Sequence, residues 1–337
     1  MIQARNWDVY ALSRANGWDW REVLDVSVSV NPLGPPAAVR DAIARAADRI
    51  ANYPEVEPQE AAAALARRWS APAGSLMLGN GATELLYFIA RAGWQGPASI
   101  AVPTSPDIQR AFPTALKVPV SDPERWPQRG LLILSQPNAI TGEALPPEVL
   151  RRAIAAREGP VLVEESFVEF TGLESAASWV DSHPNLLVLR SLSKFYGLPG
   201  VRIGALAAGP DWMARLRRRR EPWSLSVLAE AALLAALDDE DFPRRTREFM
   251  DAEREWVGDQ MAEMPGVELA PSATNFLFAR IDRRADDVFS FFLARRIMLN
   301  SCTGVPGVEG EAIRWAVRTR AENERFVAVA KECFCEG

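Results

Sequence analysis

Short apolar runs recur along the chain at Ser99–Val102, Gly130–Leu134, Val161–Val163, Leu186–Leu189 and Ile203–Ala207, each bounded by turn residues. Runs this short, apolar throughout rather than alternating, predict strands buried on both faces. Between them the apolar spacing becomes helical. Thr83–Trp94 sets Leu85, Leu86, Ile89 and Ala90 on one stripe. Pro146–Arg157 opens on proline, which suits a first helical turn, and carries Val149, Leu150 and Ile154 at helical spacing. Strand and helix in alternation predict a mainly parallel sheet with helices on both faces. A long helix is predicted over Ser226–Leu237, and beyond it the texture changes. Phe242–Met264 is charged and helical, Val267–Leu269 and Asn275–Ile281 read as strands, and two helical stretches flank a turn region at Gly304–Gly310. The reading is α/β: a large, mainly parallel-sheet domain over 31–239, a smaller α+β domain over 240–337, and an N-terminal segment, 1–30, able to pack on either.

Composition narrows the function classes. The 337 residues are 48% hydrophobic and 24% charged, enough to bury a core without disulfide or metal staples. A net charge of -6 argues against a nucleic-acid partner. The run Arg217–Arg220 is the local exception and reads as a solvated helix face. The three cysteines form no C-x-x-C pair, and Cys333 and Cys335 flank Phe334 in what reads as a frayed tail. This usage suits a reducing compartment. His183 is the only histidine and lies in the turn-like Asp-Ser-His-Pro-Asn, which argues against a histidine zinc site and leaves no metal expected. The start of the chain is polar, and no apolar run has the length to span a membrane, so a cytoplasmic protein without membrane or nucleic-acid partners is expected.

The segment with most chemistry is Ser191-Leu192-Ser193-Lys194-Phe195-Tyr196-Gly197-Leu198-Pro199-Gly200-Val201-Arg202-Ile203-Gly204. A lysine just after a buried strand is either a solvated surface charge or a desolvated amine. Desolvation disfavours the ammonium form and frees a nucleophile for an aldehyde. Two serines and an arginine beside it suit a phosphate neighbour. A second segment, Gly79-Asn80-Gly81-Ala82-Thr83-Glu84-Leu85-Leu86, leads glycines into a helix. There free N–H groups and the helix dipole favour an anion; the plainer alternative is an ordinary helix entry with Thr83 as cap.

The first segment resembles the lysine signature S-x-S-K-x-x-G-L-x-G-x-R-x-G of class I/II aminotransferases and matches it at every fixed position. The second is similar to the G-N-G-x-x-E-L segment of the family's histidinol-phosphate aminotransferase and threonine-phosphate decarboxylase branches. The resemblance implies a PLP-transferase fold of type I, with pyridoxal 5'-phosphate carried on Lys194. It implies that Gly81, Ala82, Thr83, Ser191, Ser193 and Arg202 hold the cofactor phosphate and that Glu164 faces its ring nitrogen. Asn52-Tyr53-Pro54 resembles a segment whose tyrosine reaches the phosphate of a neighbouring subunit, which implies a homodimer. Asp25–Pro36, as D-x-S-x-x-x-N-P-L-G-P-P, and Arg314–Glu324, as R-x-A-V-R-T-R-x-E-N-E, resemble the decarboxylase branch. They imply that Arg314 binds a substrate carboxylate and that Asn31 contacts substrate. On residue chemistry alone Asn31 could be a turn residue and Arg314 a surface charge.

Several positions depart from the family pattern. Ala139 stands where an asparagine donates to the cofactor ring oxygen, Glu164 replaces an aspartate, Phe167 lacks a tyrosine hydroxyl, and Ile108 takes the place of a stacking aromatic. Arg5-Asn6-Trp7 aligns with an H-G-G segment, and Asn300 with a phosphate-binding arginine. Three functions remain open: an enzyme on an amino acid or phospho-amino acid of the decarboxylase kind, an aminotransferase of the histidinol-phosphate kind on another substrate, and a non-catalytic binding protein on the same fold.

Overall fold

A computed structural model describes residues 8–335, so the Arg5-Asn6-Trp7 alignment lies outside the described residues. The strands in chain order are β1 (Leu24–Asp25), β2 (Leu76–Gly79), β3 (Ala98–Val102), β4 (Leu116–Pro119), β5 (Leu131–Ser135), β6 (Val161–Glu164), β7 (Leu186–Ser191) and β8 (Gly204–Ala208). The last five are β9 (Val267–Leu269), β10 (Phe276–Ile281), β11 (Ile297–Met298), β12 (Asn300–Ser301) and β13 (Ala312–Ala316).

Seven strands form one sheet in the order β2-β8-β7-β6-β5-β3-β4. The pairs β3·β4, β3·β5, β5·β6 and β6·β7 are parallel, whereas β8 runs antiparallel to β7 and β2. All the strands read from apolar runs lie in it. β2 and β4 were not anticipated: β2 is only four residues long, and β4 carries Lys117 and a proline at the sheet edge. Side chains alternate across the sheet as a strand's period requires. Leu132, Leu134, Val161, Val163 and Val188 enter one buried cluster, and Leu131, Ile133, Leu162, Leu187 and Leu189 enter another on the opposite face.

A second sheet, β12-β13-β10-β9, is antiparallel and packs with the helices Phe242–Ala262, Ala285–Ala294 and Arg320–Cys335. The N-terminal segment joins this part of the molecule. β1 pairs with β11 in parallel, and Ala316 N–H donates to Val26 O at 2.7 Å. Among the described residues no helix is long and apolar enough to cross a membrane.

Three local readings are corrected. The chain end is not frayed at the cysteines: the last helix runs to Cys335, with Cys333 and Phe334 buried because this face packs into the core. The arginine run is a solvated helix face only in part. Its helix ends at Arg217, and the Arg220 side chain turns inward to donate to Leu78 O at 2.6 Å beside Glu84. The stripe from Thr83 starts earlier and stops sooner, as an α-helix over Gly81–Phe88 and then a wider turn over Ile89–Gly93.

Candidate active site

Lys194 sits in the short helix Leu192–Phe195 that follows β7 directly. β7 is an interior strand whose first four residues are leucine and valine and whose end, Arg190-Ser191, is still largely buried, so the turn that follows starts from buried sheet, and the lysine is only partly exposed. Desolvation lowers the amine below its ordinary value of 10.5, opposed by the charge of Glu164 and reinforced by that of Arg314. The lysine Nζ stands 5.0 Å from the centre of the Phe167 ring. Asn31 pins the turn from outside: its backbone N–H donates to Lys194 O at 3.0 Å, and its side-chain amide donates to Phe195 O and Thr246 Oγ1. Its Oδ1 accepts from Leu33 N–H.

Glu164 ends β6, next to β7 in the sheet. It is buried, and Oε1 accepts from Ser166 N–H at 3.0 Å. Its neighbour Glu165 points elsewhere and accepts from Ser175 Oγ and Ala176 N–H; burial raises that carboxyl above its ordinary range.

A cradle lies where the helix Gly81–Phe88 begins. Its first residue has φ +83°, and a side chain there would come within 2.6 Å of the Arg202 guanidinium. Gly204, at the start of β8, faces the same turn, and a Cβ on it would overlap the Ala82 amide nitrogen. Both glycines therefore let backbone, strand and arginine approach more closely than side chains permit. Arg202 itself takes φ +65° and donates to Pro199 O at 3.1 Å. Thr83 does not cap the helix: Asn80 holds the cap position, and the Thr83 hydroxyl, two residues into the helix, makes no hydrogen bond among the described residues. Ser191 Oγ is likewise uncommitted. Ser193 differs, because its buried hydroxyl bonds both the N–H and the O of Ile203, tying the lysine turn to the approach of β8.

Arg314 lies on β13, across from Phe278 of β10 and Asn300 of β12. Its guanidinium stacks 3.8 Å from the centre of the Phe276 ring and 5.9 Å from that of Phe167. One nitrogen donates to Ser29 Oγ at 2.7 Å, Nε is buried without a partner, and no carboxylate pairs with it among the described residues. Desolvation pushes this guanidinium down to about 10. A cavity of about 1070 Å³ opens from it, walled among others by Ser27, Asp107, Arg110, Ile140, Asn300 and Cys302. Asn300 donates to Ser27 O, and burial raises the Cys302 thiol to about 11.

At the other departures the structure puts apolar surface. Ala139 and Phe167 are buried, and Ile108 packs in the cluster that holds Ala82 and Leu85. Among the described residues Tyr53 makes no hydrogen bond or ring contact with any of these groups. It is 81% exposed and stacks on the half-exposed Trp223 at 4.9 Å. Sequence reasoning did not find Ser29, Phe276 or Cys302 around Arg314. The last two come near it only through the register of β10, β12 and β13, which leaves no local signal.

The chain matches the family described as aminotransferase class I and II over residues 104–329. It is 31% identical over 331 residues to a threonine-phosphate decarboxylase of Salmonella typhimurium, covering 92% of this chain and 91% of that one. It is 32% identical over 343 residues to a histidinol-phosphate aminotransferase of Symbiobacterium thermophilum, covering 94% and 92%. A histidinol-phosphate aminotransferase of Sinorhizobium meliloti, solved in complex with pyridoxal-5'-phosphate, shares the fold with a TM-score of 0.83. That likeness spans 97% of this chain and 94% of the other at 22% identity.

Proposed function

This chain belongs to the aminotransferase class I and II family, and from that premise we propose that it is a pyridoxal-phosphate enzyme working at the Cα of an amino acid or phospho-amino acid, in the manner of a threonine-phosphate decarboxylase. One observation carries the reading: a desolvated lysine and an arginine without an acidic partner flank the same ring, Phe167.

The residues present fit the cofactor. A buried carboxylate, Glu164, stands near a lysine whose amine loses its proton below the ordinary value. The glycine-lined cradle, with Arg202 against it and the Thr83 and Ser191 hydroxyls uncommitted, suits a phosphate dianion. When bound, pyridoxal phosphate supplies an electron sink for the bond broken at Cα. The protein does the rest. Thr83, Ser191 and Arg202, with the N–H groups of Gly81 and Ala82, bind phosphate, while Ser193 holds the lysine turn in register. Glu164 holds a proton at the ring nitrogen. Arg314 orients the substrate by its carboxylate, and Lys194 carries a proton to or from the reacting carbon. Asn31 contributes by fixing the lysine turn against the N-terminal segment.

Amino transfer is the second reading. Asn300 brings an amide already bonded to Ser27 O into the cavity rather than a cation for a substrate phosphate. Both readings include a homodimer in which Tyr53 reaches the partner's cradle, supported by Tyr53, Ile50 and Val56, each at least 60% exposed. They also include a domain boundary near residue 240 and a cytoplasmic setting, in keeping with three free cysteines.

The test is a visible spectrum of the purified protein followed by a screen of amino and phospho-amino acids. A yellow chromophore altered by substrate is expected, with carbon dioxide as product. An oxo acid instead would favour the second reading. A colourless protein that takes up no added cofactor would overturn both.

A further inference from the structure

Arg314 is half-buried, its Nε wholly so, and it is held in an unusual way for such a cation. Such a charge costs free energy unless something compensates it, and the common solution is an ion pair. Here no carboxylate pairs with it among the described residues. The compensation comes from the Phe276 ring: the guanidinium carbon lies over it, 3.8 Å from its centre, a separation at which planar groups fit face to face. An acidic partner would occupy the in-plane N–H donors. A ring on the face leaves them free, except for the one nitrogen tied to Ser29 Oγ. The buried Nε has no acceptor among the described residues, so its hydrogen is a donor awaiting an oxygen.

Phe276 is itself fixed. It is fully buried on β10 and packs edge-on against Phe167 at 4.9 Å. β10 and β13 pair in a register that puts Phe278 opposite Arg314, so Phe276 is its diagonal neighbour on the same face. The ring thereby sets the plane of the guanidinium, and a bidentate carboxylate must lie in that plane.

We infer that Phe276, with Ser29, is a positioning residue: it holds Arg314 edge-free so that the arginine can take an oxyacid in one orientation. The inference rests on the reading of Arg314 as the carboxylate anchor. It predicts that losing the ring's negative face weakens carboxylate binding and loosens the choice between carbon dioxide release and amino transfer.

The probe is propionate, titrated into the cofactor-loaded protein and followed by the cofactor's visible band and by calorimetry, with propionamide as the uncharged control. Phe276→Leu should need about tenfold more propionate, the fold-change for ~1.4 kcal/mol, with propionamide unaffected. Phe276→Tyr, which keeps the ring, should stay within about twofold. Because a leucine could also disturb folding, 3,4,5-trifluorophenylalanine at 276 keeps the size but withdraws the negative face, and about a fivefold loss is expected. With the best substrate, the Leu and trifluoro variants should also shift the ratio of carbon dioxide to oxo acid. If Arg314→Lys loses propionate binding but the trifluoro variant matches wild type in both readouts, the inference about Phe276 is wrong and the anchor stands. If Arg314→Lys binds propionate as well as wild type, the anchor reading fails first.

Discussion

Lys194 and Arg314 stand over the same ring, Phe167, at 5.0 and 5.9 Å, yet the two cations are assembled in opposite ways. The surroundings of the lysine are largely contiguous in sequence. β7 delivers it, Ser193 ties its turn to Ile203, and Arg202 and Gly204 follow within ten residues, meeting the cradle at Gly81. The surroundings of the arginine are scattered: Ser29 from the N-terminal segment, Phe167 after β6, Phe276 from β10 and Cys302 after β12. Chemistry built on one stretch of chain depends on local turns and close backbone packing. Chemistry built from distant strands depends on register. The two should therefore break under different perturbations.

The largest effect belongs to the lysine. Lys194→Met should abolish covalent retention of the cofactor, seen as loss of the visible band after gel filtration. The same variant tests desolvation in cofactor-free protein. Because burial lowers the amine's pKa, the folded chain binds fewer protons than the unfolded one between that lowered value and 10.5. Stability should therefore rise with pH across this window, as the buried charge is relieved. Urea unfolding at a series of pH values should show that rise in wild type and a flatter profile in Lys194→Met. Equal slopes would mean that the lysine is solvated.

Next comes the cradle. Gly204→Ala puts a methyl into the Ala82 amide, and both partners are backbone, so neither can swing aside. A stability loss of ~2–3 kcal/mol is expected, with weaker cofactor affinity, measurable by denaturation and by cofactor titration. An alanine tolerated at both readouts would show that the close approach of β8 to the helix start is not needed.

This contrast also explains what could be read from the chain. Lys194, Arg202 and the glycine-led helix start were legible because their chemistry is spelled in short windows, and the interior strands were legible because burial on both faces makes their middles continuously apolar, with polar residues such as Ser99, Ser135, Glu164 and Arg190 only near their ends. β4 was not, since an edge strand with Lys117 and a proline looks like loop. Arg314 was found only through resemblance. By itself an arginine between apolar residues on a strand does not say that its guanidinium will lie on Phe276, 38 positions earlier, because that depends on how β10 and β13 align. Tyr53 is a third case. Its segment was legible, but its side chain stands exposed against Trp223 and, among the described residues, makes no hydrogen bond or ring contact with the other candidate residues, which no local pattern in the sequence could have said.

The smallest effect probes the scattered side at its least conspicuous member. Ser29 is buried, and its hydroxyl accepts from the Arg314 guanidinium at 2.7 Å. It adds nothing to the charge of the site and only holds one nitrogen in place. Ser29→Ala removes that acceptor but leaves the Phe276 stack, so the arginine keeps its plane and gains freedom to rotate within it. The freed N–H is not stranded, because the adjoining cavity of about 1070 Å³ gives it room to meet solvent. Carboxylate affinity should therefore fall by ~1 kcal/mol, about fivefold, with stability nearly unchanged. Combining Ser29→Ala with Phe276→Leu makes a cycle. If serine and ring restrain the same motion, the double variant should lose less than the sum of the singles; strict additivity would mean that each acts on Arg314 independently.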